Sequence, residues 1–234
     1  MNIVITGASK GIGFETARFL AANYSCKVFA ISRDLAGLND LDRTCESVSG
    51  KGILRTFPFD LLSGRINEVL LPGIRSFMPE INILVNNAGV LVNKPFQDLT
   101  EADFNLMFGT NVKAAFLLSQ ALVPLMSAGS HIVNIGSMGG FQGSVKFSGL
   151  SLYSASKGAL ATLSECLAEE LKDRKISVNC LALGSAQTEM LSQAFPGYKA
   201  PLSAHEMAEF IAEFAVRGHN WFNGKVLPVS INTP

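Results

Sequence analysis

The sequence predicts one α/β domain, residues 1–234, built on a doubly wound, seven-stranded parallel sheet with helices on both faces. Three features predict this fold. Short runs rich in β-branched residues alternate with longer amphipathic segments along the whole chain. The short runs are almost wholly apolar, which is typical of strands that helices cover on both sides. No linker rich in Pro or Ser and no internal repeat divides the chain, so we expect a single domain.

Strands are predicted where short apolar runs stand between longer segments. They are expected at Asn2–Thr6, Lys27–Ser32, Ile53–Phe59, Ile81–Val85, His131–Ser137, Ser177–Leu183 and Lys225–Val229. The intervening segments carry apolar residues at helical spacing, and helices are expected at Ile12–Asn23, Leu35–Ser47, Gly64–Phe77, Glu101–Met126, Leu152–Lys172 and Ala204–Arg217. Two of these helices should begin with N-capping pairs, Thr100 with Asp103 and Ser203 with Glu206.

Composition and charge narrow the classes of function. Nineteen basic residues balance nineteen acidic ones without a run of either sign, so we expect neither a nucleic-acid partner nor an anionic membrane, and small-molecule chemistry is favoured. The apolar stretch at 112–125 is interrupted by polar residues and a proline, and we expect it to fall short of a membrane span. The first residues lack the pattern of a signal peptide, and we therefore expect a cytoplasmic protein.

No metal site is predicted. The four cysteines form no CxxC pair, and none of the three histidines has ligand-like spacing. We expect Cys26, Cys45, Cys166 and Cys180 to be buried free thiols.

A glycine-rich loop joins the first predicted strand to the first predicted helix. A dinucleotide pyrophosphate needs a tight turn, backbone close enough to touch and the positive end of a helix dipole, and glycines between strand and helix supply all three. A surface turn also uses glycine, but the strand and helix on either side favour the binding interpretation. The predicted cofactor contacts in this loop are Gly7, Ser9, Lys10, Gly11, Ile12 and Gly13.

The Gly-x-x-x-Gly-x-Gly spacing of this loop resembles that of the classical short-chain dehydrogenase/reductase family, whose fold is the Rossmann fold. Further motifs follow in that family's order: Asp60, Asn86-Asn87-Ala88-Gly89, Asn111, Ser137 and Tyr153-Ser154-Ala155-Ser156-Lys157. The resemblance spans residues 1 to about 190. By analogy, 3-oxoacyl-carrier-protein reductases suggest a substrate class.

The resemblance implies roles for individual residues. Ser137 would polarise the substrate oxygen, Lys157 would hold the nicotinamide ribose, and Asn111 would support a water relay to Lys157. Further cofactor contacts are implied at Asp60, Asn87, Ala88, Gly89, Tyr153, Lys157 and Thr188. The resemblance also implies self-association as a homotetramer, or as a homodimer, through the helices at 101–126 and 152–172.

Tyr153 and Lys157 are four residues apart, so a helix places them on one face. A free tyrosine is a feeble base at neutral pH, but an adjacent ammonium favours the phenolate and should lower the pKa of Tyr153. Such a tyrosine can donate a proton to a carbonyl or accept one from a hydroxyl. Each residue also has a structural interpretation: a solvated Tyr-Lys pair, a satisfied amide at Asn111 and a helix cap at Ser137.

The choice of cofactor depends on the end of the second strand, where an acidic residue would accept a bond from a free ribose hydroxyl. This chain has Ser32-Arg33 there, and Lys10 adds a cation in the glycine loop. Both suit a 2′-phosphate, so NADP(H) is predicted. The alternative is that both cations are solvated and that Asp34 binds the ribose.

Two departures from the family pattern bear on the substrate. The interval from Ser137 to Tyr153 is longer than usual and carries Gly139, Gly140, Gly143 and Gly149, which predicts a flexible wall. Leu183-Gly184 stands where Pro-Gly is common, which predicts a less rigid backbone beside the nicotinamide.

The sequence thus predicts an NADP(H)-dependent oxidoreductase that interconverts a carbonyl and an alcohol by hydride transfer. The alternative from another class is a dinucleotide-binding regulatory or scaffolding protein with little turnover. The combined presence of Asn111, Ser137, Tyr153 and Lys157 favours the enzyme.

Overall fold

A computed structural model of the chain describes residues 1–46 and 50–231. Its main sheet contains seven strands, namely β1 (Asn2–Thr6), β2 (Lys27–Ser32), β3 (Ile53–Pro58), β4 (Ile81–Asn86), β5 (Met126–Ile135), β6 (Ser177–Leu183) and β9 (Val226–Val229). Their order is β3-β2-β1-β4-β5-β6-β9, and every neighbouring pair is parallel. The chain reverses its direction of winding between β1 and β4, and ligands of doubly wound sheets bind beside such a switch point.

Eight α-helices surround the described strands: α1 (Gly11–Asn23), α2 (Leu35–Glu46), α3 (Leu71–Phe77), α4 (Glu101–Phe108), α5 (Ala114–Leu122), α6 (Ser151–Glu170), α7 (Glu189–Ala194) and α8 (Ala204–Arg217). Side chains of α1, α2 and α8 pack against one face of the sheet. Side chains of α3, α5 and α6 pack against the other. The central strands are therefore buried on both faces, which explains their continuous apolar runs and confirms the predicted α/β fold.

Predicted and observed boundaries agree for most elements. Both N-capping pairs are present as capping boxes at the starts of α4 and α8. The predicted end of the second helix, Ser47, lies outside the described residues. The predicted helix at 64–77 begins as a π-helical turn, Ile66–Leu70, before α3.

The helix predicted at 101–126 is interrupted and ends earlier. A π-helical turn, Gly109–Lys113, separates α4 from α5, and a 3-10 turn, Val123–Leu125, ends the segment. The π turn contains Asn111, whose side chain bonds to the backbone of a neighbouring loop, and such turns often mark functional positions. β5 begins at Met126 because this residue pairs with Ile81, five residues before the predicted start of the strand.

Sequence periodicity missed the segment between β6 and α8. Here Ala186–Gln187 (β7) and Leu202–Ser203 (β8) form a short parallel pair, and α7 lies between them. Strands of two residues and a helix of six are too short to give a periodic signal. The pair joins both ends of the segment 189–201, which we call the lid.

Glu101–Leu125, counted as one helical stretch, is long and apolar enough by composition to cross a membrane, with a mean hydropathy of 1.3. The stretch at 112–125, which was expected to be too short for a membrane span, reaches this length only when residues 101–111 are counted with it. Within the protein, 39% of its apolar window is buried, and Ala114, Leu118 and Leu122 belong to the core beneath the sheet. One part of the stretch therefore packs in the α/β core.

The prediction for the cysteines is partly wrong. Cys26 and Cys180 are buried free thiols, whereas Cys45 is only partly buried and Cys166 is exposed. Cys166 lies in α6 two residues beyond the buried Ser164, and this offset turns it away from the sheet.

Candidate active site

A cleft of about 940 Å³ opens at the carboxyl edge of the sheet, beside the switch point between β1 and β4. Every predicted site residue except Asn111 lines it. The loops after β1, β2, β3, β4, β5 and β6 all contribute to its walls. The fold therefore brings sequence segments more than a hundred residues apart into one cavity.

The glycine loop needs its glycines for close backbone approach. Gly7 has a φ of 69°, and a Cβ there would lie 2.8 Å from the Cα of Ala88. A Cβ on Gly13 would lie 2.3 Å from both the side-chain nitrogen of Asn87 and the Gly7 carbonyl oxygen. Because any larger residue would collide with backbone, the first turn of α1 presents its amides without side chains in front of them.

Thr6 and Asn87 hold this loop against the loop after β4. The Thr6 hydroxyl accepts hydrogen bonds from the amides of Asn87 and Ala88, each at 3.0 Å. The Asn87 side chain donates to the Thr6 and Gly7 carbonyls at 2.9 and 3.2 Å. The role of Thr6 was not predicted, since a threonine at the end of a strand has no distinctive sequence signal.

The end of β2 separates Arg33 from its acidic neighbour. The Asp34 carboxylate accepts from the Gly37 amide at 3.2 Å, so it is engaged at the start of α2. Arg33 is exposed, lines the cleft, and forms no ion pair with any residue of the described part of the chain. Ser32 donates to the Ser9 hydroxyl at 2.9 Å, which ties the end of β2 to the glycine loop.

Lys10 lies at the glycine loop as predicted, but its ammonium is paired. Its Nζ lies 2.8 Å from a carboxylate oxygen of Glu189, the first residue of α7, and both side chains are more than half exposed. This ion pair crosses from the loop to the lid. An exposed pair of this kind contributes little to stability and can open readily.

The remaining predicted cofactor residues also lie in the cleft. Asp60 accepts from the Leu62 amide at 3.0 Å, and Ile12, Ala88 and Gly89 line the wall. Thr188 caps α7 by accepting from the Leu191 amide at 3.2 Å, and its methyl group would lie 3.5 Å from a Cβ built on Gly11. The start of the lid therefore lies over the glycine loop.

Tyr153 projects from the first turn of α6 into the cleft, and its side chain bonds to Ser137. Burial raises the pKa of the Tyr153 phenol above 10.0, and the bond to Ser137 partly offsets this. The expectation that Lys157 would lower this pKa is not met in the ligand-free protein. Tyr153 thus holds its proton firmly at neutral pH.

Lys157 lies one turn further along α6, with its ammonium 5.9 Å from the centre of the Tyr153 ring. It is only 4% exposed and donates to the Ile135 carbonyl at 2.7 Å. Burial lowers the pKa of Lys157 to about 8. The Tyr-Lys pair is therefore not a solvated surface pair, because the cation is buried at the floor of the cleft.

Asn111 stands behind Lys157 rather than in the cleft wall. Its side-chain oxygen accepts from the Val90 amide at 2.8 Å, and its nitrogen donates to the Val90 carbonyl and the Ser156 hydroxyl. A Cβ on Gly89 would lie 3.3 Å from Lys157 Nζ and 3.4 Å from Asn111 Oδ1, so both groups approach the same glycine. Asn111 is a satisfied amide that is also adjacent to the buried cation.

The Ser137 hydroxyl makes the contacts expected of both roles that its sequence position suggested, a helix cap and a catalytic group. Its hydroxyl accepts from the Gly139 amide at 3.2 Å, which caps a short 3-10 turn, and it also bonds to Tyr153. The sequence offered capping and catalysis as alternatives. In the structure, one hydroxyl has both contacts.

The glycines between Ser137 and Tyr153 mostly serve close packing, contrary to the prediction of a flexible wall. A Cβ on Gly139 would lie 2.9 Å from the Ser154 hydroxyl, and one on Gly140 would lie 2.5 Å from the Gly158 amide. Gly149 packs against Asn93 in the same way, and only Gly143 of these four faces open space. The segment between Ser137 and Tyr153 is therefore held by close contacts at three of its four glycines.

The segment at Leu183-Gly184 is also held more firmly than predicted. Leu183 pairs with Val229 in the sheet, and the Gly184 amide donates to the Val229 carbonyl at 2.8 Å. Strand hydrogen bonds therefore constrain the backbone where the family commonly uses proline.

We expect the stability cost of burying the Lys157 charge to depend on pH. The folded pKa of about 8 lies below the unfolded value of about 10.4, so between these values the unfolded chain binds more protons and stability rises with pH. Lys157→Met removes this dependence. Its free energy of unfolding relative to the wild type should fall by roughly 2 kcal/mol from pH 7 to pH 10.

Urea unfolding of the ligand-free wild type and variant at both pH values measures this difference. The variant lacks the bond to the Ile135 carbonyl at both pH values, so the loss of this bond cancels in the comparison between them. Lys113→Met, at an exposed lysine, is the matched control and should show little change with pH. The same small change in both variants would contradict the burial of a charged Lys157.

Comparisons with known proteins agree with this geometry. A family model for short chain dehydrogenases matches residues 1–199. The ketoacyl reductase HetN of Nostoc sp. is 33% identical over 185 residues, which are 78% of this chain and 62% of that protein. The 3-oxoacyl-[acyl-carrier-protein] reductase FabG of Escherichia coli is 29% identical, with 97% of this chain and 94% of that protein covered.

Solved structures have the same fold. A short chain dehydrogenase from Burkholderia cenocepacia, in complex with NADP, matches with a TM-score of 0.85 and 27% identity, covering 97% of this chain and 95% of the other. This chain therefore belongs to the short-chain dehydrogenase/reductase family of oxidoreductases.

Proposed function

We propose that the protein is an NADP(H)-dependent oxidoreductase that interconverts a carbonyl and an alcohol, with Tyr153 as general acid and base. One observation supports this most directly. Tyr153, bonded to Ser137 and one turn from the buried cation Lys157, lies in the same cleft as the glycine loop. A substrate bound in this cleft would therefore lie close to both the proton donor and the cofactor held by the glycine loop.

The cleft fits a nicotinamide dinucleotide. Because Gly7 and Gly13 leave no room for side chains, the backbone at the start of α1 stays bare where a pyrophosphate would lie. Asp60, Asn87, Ala88, Gly89 and Thr188 would line the bound molecule, and Lys157 would hold its ribose. When bound, the nicotinamide supplies or accepts a hydride. In the structure from Burkholderia cenocepacia, a related chain is in complex with NADP.

The 2′-phosphate form is favoured by the charges at the end of β2. Asp34, which would have to accept a bond from a free ribose hydroxyl, also lines the cleft, but one of its oxygens already accepts from the Gly37 amide. Arg33 offers a planar set of donors at the cleft edge. Lys10 can join it only by leaving Glu189, so Arg33 carries most of the proposed selectivity.

Tyr153 moves the proton in the proposed reaction. In reduction, its phenol donates to the substrate oxygen that also accepts from Ser137, and in oxidation the phenolate takes the proton back. The raised pKa of Tyr153 keeps the phenol protonated at neutral pH, which suits reduction. Lys157 lies 5.9 Å from the centre of the Tyr153 ring, and Asn111 positions the Lys157 side of the site.

The function is tested by following NADPH absorbance after addition of a panel of ketones and aldehydes. Consumption that depends on the ketone supports an enzyme. If NADPH binds but no carbonyl in a broad panel is reduced, the alternative of a dinucleotide-binding regulatory or scaffolding protein would replace the proposal.

We also propose that the protein self-associates, as a homotetramer or a homodimer, through α4, α5 and α6. Phe104, Leu106 and Phe116 are 43%, 39% and 40% exposed on α4 and α5. A shallow groove between these helices and α6 is lined by Phe108, Phe116, Leu163 and their neighbours. Exposed apolar surface of this kind is typical of subunit contacts.

Phe116→Glu should lower the molar mass in light scattering toward that of one chain, because a carboxylate would be buried without a partner. Leu35→Glu is the matched control, since Leu35 is an exposed leucine on α2, away from these helices, and should leave the mass unchanged. A monomeric wild type, or dissociation by the control alone, would refute the proposed interface.

A further inference from the structure

We propose that the substrate is an uncharged ketone, or the matching alcohol, with hydrocarbon on both sides of the reacting carbon; this inference rests on the proposed function. It concerns the part of the cleft beyond Tyr153, between the lid, the segment 138–150 and the loop after β4. We call this part the outer chamber. Its lining includes Leu91, Met138, Gly139, Phe147, Leu150, Ser185, Met190, Leu191, Phe195, Tyr198 and Pro201.

The outer chamber faces the reacting groups because its three walls start beside them. The segment 138–150 runs from Ser137 to α6, three residues before Tyr153. The lid follows directly after Thr188, which lies over the glycine loop. The third wall continues directly from Gly89, which packs beside Lys157. A ligand whose oxygen meets Tyr153 therefore projects its substituents into this chamber.

The walls are joined to each other without any ligand. The Asn93 side chain donates to the Ala194 carbonyl at 2.8 Å, which connects the loop after β4 to the lid. The Lys94 amide donates to the Gly149 carbonyl at 3.1 Å, which connects the same loop to the segment 138–150. The β7–β8 pair joins the ends of the lid. The chamber is thus a preformed cavity.

Charge is confined to the other parts of the cleft. Lys10, Arg33, Asp34, Asp60 and Glu189 lie on the loops and the lid start nearest the glycine loop. Lys157 bonds to the Ile135 carbonyl at the floor. Among the described residues that line the outer chamber, none is charged, and the hydroxyls of Ser185 and Tyr198 bond to each other at 3.0 Å.

This lining discriminates against hydroxyls and carboxylates on the substrate. A hydroxyl buried here without a partner should lower kcat/KM by about tenfold or more, whereas each added methylene should raise it by up to about fourfold. A carboxylate beside the carbonyl would be buried without a cation and should be rejected more strongly.

Three five-carbon ketones test the inference with little change in size: 2-pentanone, xylulose and 2-oxopentanoate. With NADPH, kcat/KM for 2-pentanone should exceed that for each of the others by at least about a hundredfold. Extending the chain to 2-octanone should raise kcat/KM by about tenfold or more. Equal or better reduction of xylulose or 2-oxopentanoate would overturn the inference while leaving the proposed function intact.

A pair of variants in the lid tests whether the outer chamber causes the preference for 2-octanone over xylulose. Leu191→Asn places an amide of similar size in the lining and should reduce the preference for 2-octanone over xylulose by about tenfold. Gln193→Asn, an exposed position two residues away that does not line the cleft, should leave the preference unchanged. Thermal melts establish that both variants fold. A folded Leu191→Asn protein with the wild-type preference would contradict the assignment.

Binding provides a readout that does not require turnover. The NADPH complex of Tyr153→Phe is titrated with 2-octanone and xylulose, with NADPH fluorescence as the signal. Tighter binding of 2-octanone without reduction of any ketone by the wild type would refute the proposed function and support the ligand class. Absence of binding by 2-octanone would overturn the inference.

Discussion

Tyr153→Phe should lower turnover by roughly a hundredfold to ten-thousandfold while NADPH affinity stays within about twofold of the wild type. The substitution removes one hydroxyl from a ring whose position in α6 is unchanged. That hydroxyl is the group bonded to Ser137, and its raised pKa makes it a proton donor at neutral pH. Since most of the proposed cofactor contacts come from other residues and the ring of Tyr153 is kept, binding and chemistry should separate.

The direction of reaction adds a pH dependence to this prediction. Reduction needs the protonated phenol and should be fastest at neutral or lower pH, whereas oxidation needs the phenolate and should rise with pH. The rates are measured with one ketone and its alcohol across the pH range. In Tyr153→Phe both profiles should lose the step that Tyr153 contributes.

Tyr24→Phe is the matched control, because it removes the same atom from a tyrosine at the end of α1, outside the cleft. Its turnover should match that of the wild type. If Tyr153→Phe kept turnover within tenfold of the wild type, Tyr153 could not be the proton donor, and a different group would have to supply the proton.

The fold was predictable because its signals are local and repeated. Each central strand is buried on both faces, so apolar runs such as Asn2–Thr6 identify it without knowledge of its partners. The capping boxes at Thr100 and Ser203 likewise involve residues only three apart. The π turn at Gly109–Lys113 depends instead on tertiary bonds of Asn111, and helical periodicity could not indicate it.

The candidate site was predictable where its residues share one element or one motif. Tyr153 and Lys157 lie four residues apart in α6, and the glycine loop is continuous in sequence. Contacts between distant segments were not accessible. Lys10 and Glu189 are 179 residues apart, and the packing of Gly149 against Asn93 depends on where two loops meet. The sequence consequently indicated free charge at Lys10 and flexibility at Gly149, and the structure differs at both.

We expect cofactor selectivity to depend on Arg33, which forms no such contact with the described residues of the chain. NADPH should bind more tightly than NADH, and Arg33→Ala should weaken NADPH binding by about tenfold or more while NADH affinity barely changes. Arg33 lines the cleft and offers donors to a phosphate, whereas the neighbouring Asp34 already has one oxygen bonded to the Gly37 amide. Titration of each protein with both cofactors measures the two affinities.

Arg43→Ala is the matched control for this titration, because Arg43 is an exposed arginine on α2 that pairs with Asp40 and does not line the cleft. Its affinities for both cofactors should equal those of the wild type. Salt provides a second check, since an exposed contact between a cation and a phosphate weakens with ionic strength, and NADPH binding should therefore fall at high salt more than NADH binding. Equal wild-type affinities, or an equal loss for both cofactors in Arg33→Ala, would show that Arg33 does not recognise the 2′-phosphate.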